Sequence, residues 1–206
     1  MPKAADSGVR ERALIHVPII HTQDDMGALQ GPIKQVTLQK IGLAAFKRKS
    51  YVVDQRWKKI ERFIDSLDLS YEKVRLYQDG LPVCDKESEI VKELAKAGNR
   101  NHKLLVRLME RGATIMGTES AELLLQEYEL IKRALAAETD PEVAGDEAVR
   151  KASSARLLKK RNQFIADRIN STLRPDETGI LFLGMLHSLQ GLLDEDIRVL
   201  PFQPTI

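Results

Sequence analysis

The chain has 206 residues and a mass of 23.2 kDa, enough for one domain with a sizeable core. Lys and Arg total 32 against 30 Asp and Glu, so a formal charge of +2 gives no global reason to expect nucleic acid or a membrane surface as partner. The single cysteine, Cys84, excludes an intrachain disulfide and a cysteine-based zinc framework, and no apolar run approaches the roughly 20 residues of a membrane span.

Residues 1–12 are polar, lack the apolar segment of a secretory signal, and read as a disordered tail. A single α/β domain is expected over 13–206, in a cytoplasmic protein. The apolar run 13–20 predicts a buried strand, with Pro18 suggesting a bend near its end. From Val36 to Leu67 the pattern is helical. Val53, Trp57, Ile60, Ile64 and Leu67 recur at steps of four and three, the spacing of one helix face.

A strand is predicted at 73–78, ended by the turn chemistry of Asp79, Gly80 and Pro82. A helix comes next over 86–111, weakened at Gly98, and then a third strand at 113–116. Thr118 is placed to cap a helix over 119–137. Residues 138–145 form a loop, and a long helix runs to about Leu173, before Pro175. The run 179–186 is the clearest buried strand, and 197–200 a short fifth. Strands separated by helices predict a mostly parallel sheet of four to five strands, covered on both sides.

The polar residues at the strand ends carry the functional signal. His21 ends the first strand, Asp79 the second, Glu119 the third and His187 the fourth. Ligands of open parallel sheets sit outside the carboxyl ends of the strands, so two imidazoles and two carboxylates converge on one rim. That set suits a divalent metal or a general acid–base pair. Each member also has a bland role: a turn cap for His21, a helix first turn for Glu119, a turn aspartate for Asp79. His16, inside a strand, and His102, inside a helix, read as structural.

On the long late helix, Arg161 falls within the apolar stripe of Leu157, Leu158, Ile165 and Ile169, with Asn162 beside it. A guanidinium facing the sheet requires a carboxylate or an anionic ligand, so Arg161 is expected to orient Asp79 or Glu119, or to clamp substrate charge. The early helix is basic at Lys47, Arg48, Lys49, Arg56, Lys58, Lys59 and Arg62, with Trp57 as a candidate stacking residue. Its interrupting acids and the place of Trp57 in the apolar stripe favour a solvated face over a nucleic-acid site.

Gly184, Met185, Leu186 and His187 match the Gly-x-x-His motif of the TraB/Tiki, ChaN-like and erythromycin-esterase-like superfamily, which they resemble. The first-strand copy of that motif is here Pro18, Ile19, Ile20 and His21, with proline in the glycine position. The segment from Arg161 and Asn162 through Ala166 to Ile169 is similar to the helix that precedes the family's second motif. The resemblance implies an α/β fold with a histidine- and acid-lined pocket, in proteins that include proposed metal-dependent proteases, macrolide esterases and a haem-binding lipoprotein. By position it makes His21 and His187 the motif histidines, Arg161 and Asn162 the helix pair, and Asp79 the acid after the second strand.

The first expectation is therefore a hydrolase of small-molecule or peptide substrates. His21 and His187 would hold a manganese, zinc or cobalt ion with Asp79 or Glu119, and Arg161 would support the base or the oxyanion. A metal-free version uses one histidine as base. The alternative is a non-catalytic protein that holds haem, a metal or an anionic metabolite on the same rim. Pocket walls are expected from the loops after the strands and from residues 24–35, and an exposed apolar helix face would suit a homodimer.

Overall fold

The computed structural model describes residues 11–21, 29–139 and 146–203. The chain runs β1 (Arg12–Ile19), α1 (Gln30–Asp65), β2 (Val74–Gln78), α2 (Glu87–Lys96), α3 (Arg100–Glu110), β3 (Thr114–Met116), α4 (Ala121–Thr139), α5 (Glu147–Thr172), β4 (Thr178–Gly184) and β5 (Ile197–Pro201). The strands form one sheet in the order β3-β2-β4-β1-β5, and every pair is parallel. This is the α/β architecture that the alternating pattern predicts. Among the described residues no helix is long and apolar enough to cross a membrane.

Alternation along each strand divides the core between two faces. Ile15, Val17, Ile19, Leu76, Ile180 and Phe182 meet the stripe of α1 (Val53, Trp57, Ile60, Ile64) together with Leu104, Leu105 and Leu108 of α3. On the other face Leu14, Tyr77, Leu181 and Leu183 meet Ile165 and Ile169 of α5. The chain thus leaves along one side of the sheet and returns along the other, inserting β4 between β1 and β2. That reversal falls at the carboxyl ends of these three strands, the place where ligands of such sheets bind.

Several local expectations are corrected. β1 starts at Arg12, inside the segment expected to be a tail; Arg12 is buried and bonded to Asp194, Asp196 and the carbonyls of Asn170 and Leu173. Residues 1–10 of that tail, 140–145 of the expected loop and 24–28 of the expected pocket wall lie outside the described residues. As expected, the strand runs through Pro18, and it continues to Ile19 in register with Gly184. The reason is directional. His16 O accepts from Phe202 N on the β5 side, so Pro18, two residues on, also faces that side, past the end of β5. No ladder donor is needed there, and the Pro18 carbonyl accepts instead from Arg56 at 2.7 Å.

The predicted helix over 86–111 is two helices, broken at Gly98 (φ 103°), where the Asn99 side chain caps α3 by accepting from His102 N. The early helix likewise breaks at Gly42 (φ 74°, ψ 163°). Ser120, not Thr118, caps α4, because Thr118 Oγ1 is committed to Gln78 N at 2.9 Å and to Met116 O. β4 ends at Gly184 rather than 186, since a turn closed by His187 N donating to Gly184 O carries Met185 and Leu186 into solvent.

Candidate active site

Asp79 comes directly after β2, and its N–H donates to Phe182 O of β4, so the sheet ladder itself fixes where the carboxylate starts. The carboxylate is 2% exposed and takes four contacts. Oδ2 accepts from His21 Nε2 and from Gly184 N, both at 2.8 Å, and lies 3.6 Å from His187 Nε2. Oδ1 accepts from Arg161 Nη2 at 3.0 Å. Burial raises the pKa of this carboxyl, but the donors around it, His21 foremost, outweigh that and hold it below the usual carboxylate range.

Glu119 is locked by a backbone clasp between the segments after β2 and β3. Its N–H donates to Leu81 O at 3.0 Å, and its carbonyl accepts from Val83 N at 2.9 Å. The fully buried side chain meets Arg161 in a fork: Oε2 accepts from Nε at 2.6 Å and Oε1 from Nη2 at 2.5 Å. Gly80 N also donates to Oε1 at 3.0 Å. Burial, reinforced by the Asp79 carboxylate and opposed by Arg161, pushes the Glu119 carboxyl up to about 7.

Arg161 projects from α5 toward the sheet, as its place in the apolar stripe predicts, and is buried. It touches both expected acids and a third, Glu127 of α4, through Nη1. Sequence reasoning missed Glu127, which stands among Glu122 and Glu129 on a helix rich in solvent-facing charge, with nothing in the pattern to single it out. Burial lowers the Arg161 pKa, yet Glu119, Glu127 and Asp79 together raise it above its ordinary value. One guanidinium therefore serves three carboxylates, which leaves the cluster short of positive charge.

His187 is oriented by Asn162, whose Oδ1 stands 2.6 Å from Nδ1. An amide oxygen only accepts, so the imidazole proton sits on Nδ1 and the Nε2 lone pair faces Asp79. Burial lowers His187 to about 4, with Arg161 and His21 assisting and Asp79 opposing, so the ring is neutral at pH 7. A lone pair 3.6 Å from a carboxylate oxygen is a repulsive arrangement that a cation or a donor between them relieves.

All six expected residues thus lie in one cluster. Within it, one ligand atom each from Asp79, Glu119 and His187 falls within 4.8 Å of the others, a group able to hold a metal ion. His21 is not in that trio, although its Nε2 stands 2.8 Å from Asp79 Oδ2. Behind the cluster, Asn101 Nδ2 donates to Gln78 Oε1 at 2.7 Å and Gln78 Nε2 to Asp79 O at 2.9 Å, a buried brace that sequence reasoning also missed. The basic early helix does not converge here. Trp57 is packed in the core, Lys58 pairs with Asp54 at 2.9 Å, and Arg56 is turned to Pro18 O and the Phe202 ring.

No family model, curated protein or solved structure matches the chain.

Proposed function

We propose that the chain is a hydrolase whose centre holds a divalent ion, of the manganese, zinc or cobalt kind, on Asp79, Glu119 and His187. The observation that carries this reading is the trio itself: oxygen and imidazole donors within 4.8 Å at the carboxyl ends of parallel strands, with more carboxylates than cations around them. The likeness of residues 184–187 and 161–169 to the Gly-x-x-His superfamily supports the same reading. A divalent ion at this place supplies Lewis acidity toward a water or a carbonyl oxygen.

The protein's own groups divide the remaining work. Asn162 holds His187 in the tautomer that presents Nε2, the usual role of a hydrogen-bond partner behind a ligand. His21 and Gly184 N fix one oxygen of Asp79 and Arg161 the other, so the carboxylate cannot rotate. Arg161 and Gly80 N hold both oxygens of Glu119, so this ligand too keeps one orientation. The substrate in this reading is a small molecule or a peptide.

A second reading has one observation in its favour. Both oxygens of Glu119 are already engaged by Arg161 and Gly80, so the acid is neutralised without a ligand. That suits a protein that retains a metal, haem or an anionic metabolite without turnover. A panel of activated esters and short peptides, assayed with each metal beside Asp79→Asn, separates the two. Turnover that needs the metal and Asp79 supports the hydrolase, whereas retained metal with no turnover on any substrate supports binding.

A further inference from the structure

The helix α4 contains Leu123, Leu124, Leu125, Leu130 and Ile131, yet none of its residues with described side chains is buried. A helix this rich in leucine is normally held by burying one apolar stripe. Here α4 leans on α5 and leaves an open groove of about 460 Å³ between the two helices. That volume is in the range of about 300–1,000 Å³ typical of small-molecule sites. Leu125, Leu130 and Leu157 supply the apolar part of its lining, and Leu125 is 63% exposed.

The groove is also lined by three cations, Arg133, Arg156 and Lys160. Among the described residues no acid pairs with any of them. Glu129 also lines the groove, 4.0 Å from Lys132, so the lining carries three cations against one acid. What sets these three apart is that they line one groove together with Leu125, Leu130 and Leu157. Apolar lining and unpaired cations are the two halves of one recognition problem. An alkyl chain covers the leucines, and a head with delocalised negative charge meets the guanidinium forks.

We propose that the α4–α5 groove binds a single-chain amphipathic anion, a free long-chain carboxylate or its phosphate equivalent, taken up as a monomer. The site is separate from the buried acid cluster and does not depend on the hydrolase reading. A bilayer surface is disfavoured as occupant, because a groove of about 460 Å³ between two helices is the size of a site for one small molecule.

Dodecanoate below its micellar concentration is the probe, read by titration calorimetry of the full chain. The expected result is saturable binding of one dodecanoate per chain, with dodecanol at least tenfold weaker. Arg133→Ser/Arg156→Ser weakens dodecanoate at least tenfold with an unchanged melting temperature, since both side chains are exposed and unpaired. Leu130→Asp, read the same way, weakens it through the apolar lining. Absence of saturable binding to the wild-type chain overturns the proposal. So does equal affinity for dodecanol, undiminished binding by the double variant, or sedimentation with phosphatidylglycerol vesicles by a chain that ignores free dodecanoate.

Discussion

Gly184 N–H donates to Asp79 Oδ2 across 2.8 Å, and the same oxygen stands only 2.7 Å from the point that a Cβ on residue 184 would occupy. His21 Nε2 lies 2.8 Å from that point. The glycine that opens Gly-x-x-His is therefore there for space, so that the end of β4 can touch the carboxylate and the imidazole together. Gly184→Ala must push Asp79 or His21 aside. Overpacking of this kind costs about 1–3 kcal/mol, and urea denaturation is the check. A fully stable variant with an unchanged His21 NMR signal would contradict the geometry.

The Arg161 fork is the electrostatic keystone of the cluster. Removing one partner of a buried ion pair costs about 3–5 kcal/mol, because the other charges stay buried. Arg161→Met is expected to lose stability in that range. Arg161→Lys should recover only part of it, since an ammonium cannot reach two oxygens of Glu119 in parallel. Equal stability of the lysine and wild-type proteins would show that the fork geometry is unimportant. Glu127→Gln, at a position 38% exposed, should be far milder.

Two groups in the metal-free protein pull stability in opposite directions with pH. Glu119, raised from 4.5 to about 7, contributes stability that is full below about pH 4.5 and is lost as pH rises through about 7. His187, lowered from 6.5 to about 4, contributes stability that is full above about pH 6.5 and is lost as pH falls through about 4. Between these limits the two slopes oppose each other. Glu119→Gln should therefore gain stability with rising pH over that window, and His187→Asn should lose it, each by at most about 1.4 kcal/mol per pH unit. Chemical denaturation across the window tests both signs.

Asn162 should decide the state of His187 without touching the acids. In wild-type protein the ring nitrogens are expected to show a protonated Nδ1 and an unprotonated Nε2 by heteronuclear NMR. Asn162→Ala should mix the tautomers and weaken metal uptake about 10- to 100-fold, the usual effect of losing a partner behind a ligand. Unchanged tautomer and unchanged uptake would remove Asn162 from the account.

Much of this was legible in the residues. The apolar runs marked the strands because a parallel sheet covered on both faces leaves no polar alternation to hide them. His21, Asp79, Glu119 and His187 were visible because a strand end fixes the position of the next residues, and Arg161 because a charge in an apolar stripe needs a partner. Contacts set by packing were not visible. Glu127 reaches Arg161 only through the way α4 leans on α5, and the brace from Asn101 to Gln78 joins elements 23 residues apart. The partition of the site also escaped the sequence: order along the chain paired the two histidines, whereas only His187 comes within 4.8 Å of both acids, and His21 bonds to Asp79 at 2.8 Å.

The most direct test is metal analysis of protein purified without chelators and titrated with manganese, zinc and cobalt, beside His187→Ala and Asp79→Asn. The account predicts close to one ion per chain in wild-type protein and its loss in both variants, with His21→Ala weakening uptake about 10- to 100-fold without abolishing it. Folded wild-type protein that carries no ion and takes up none of the three would contradict the central claim.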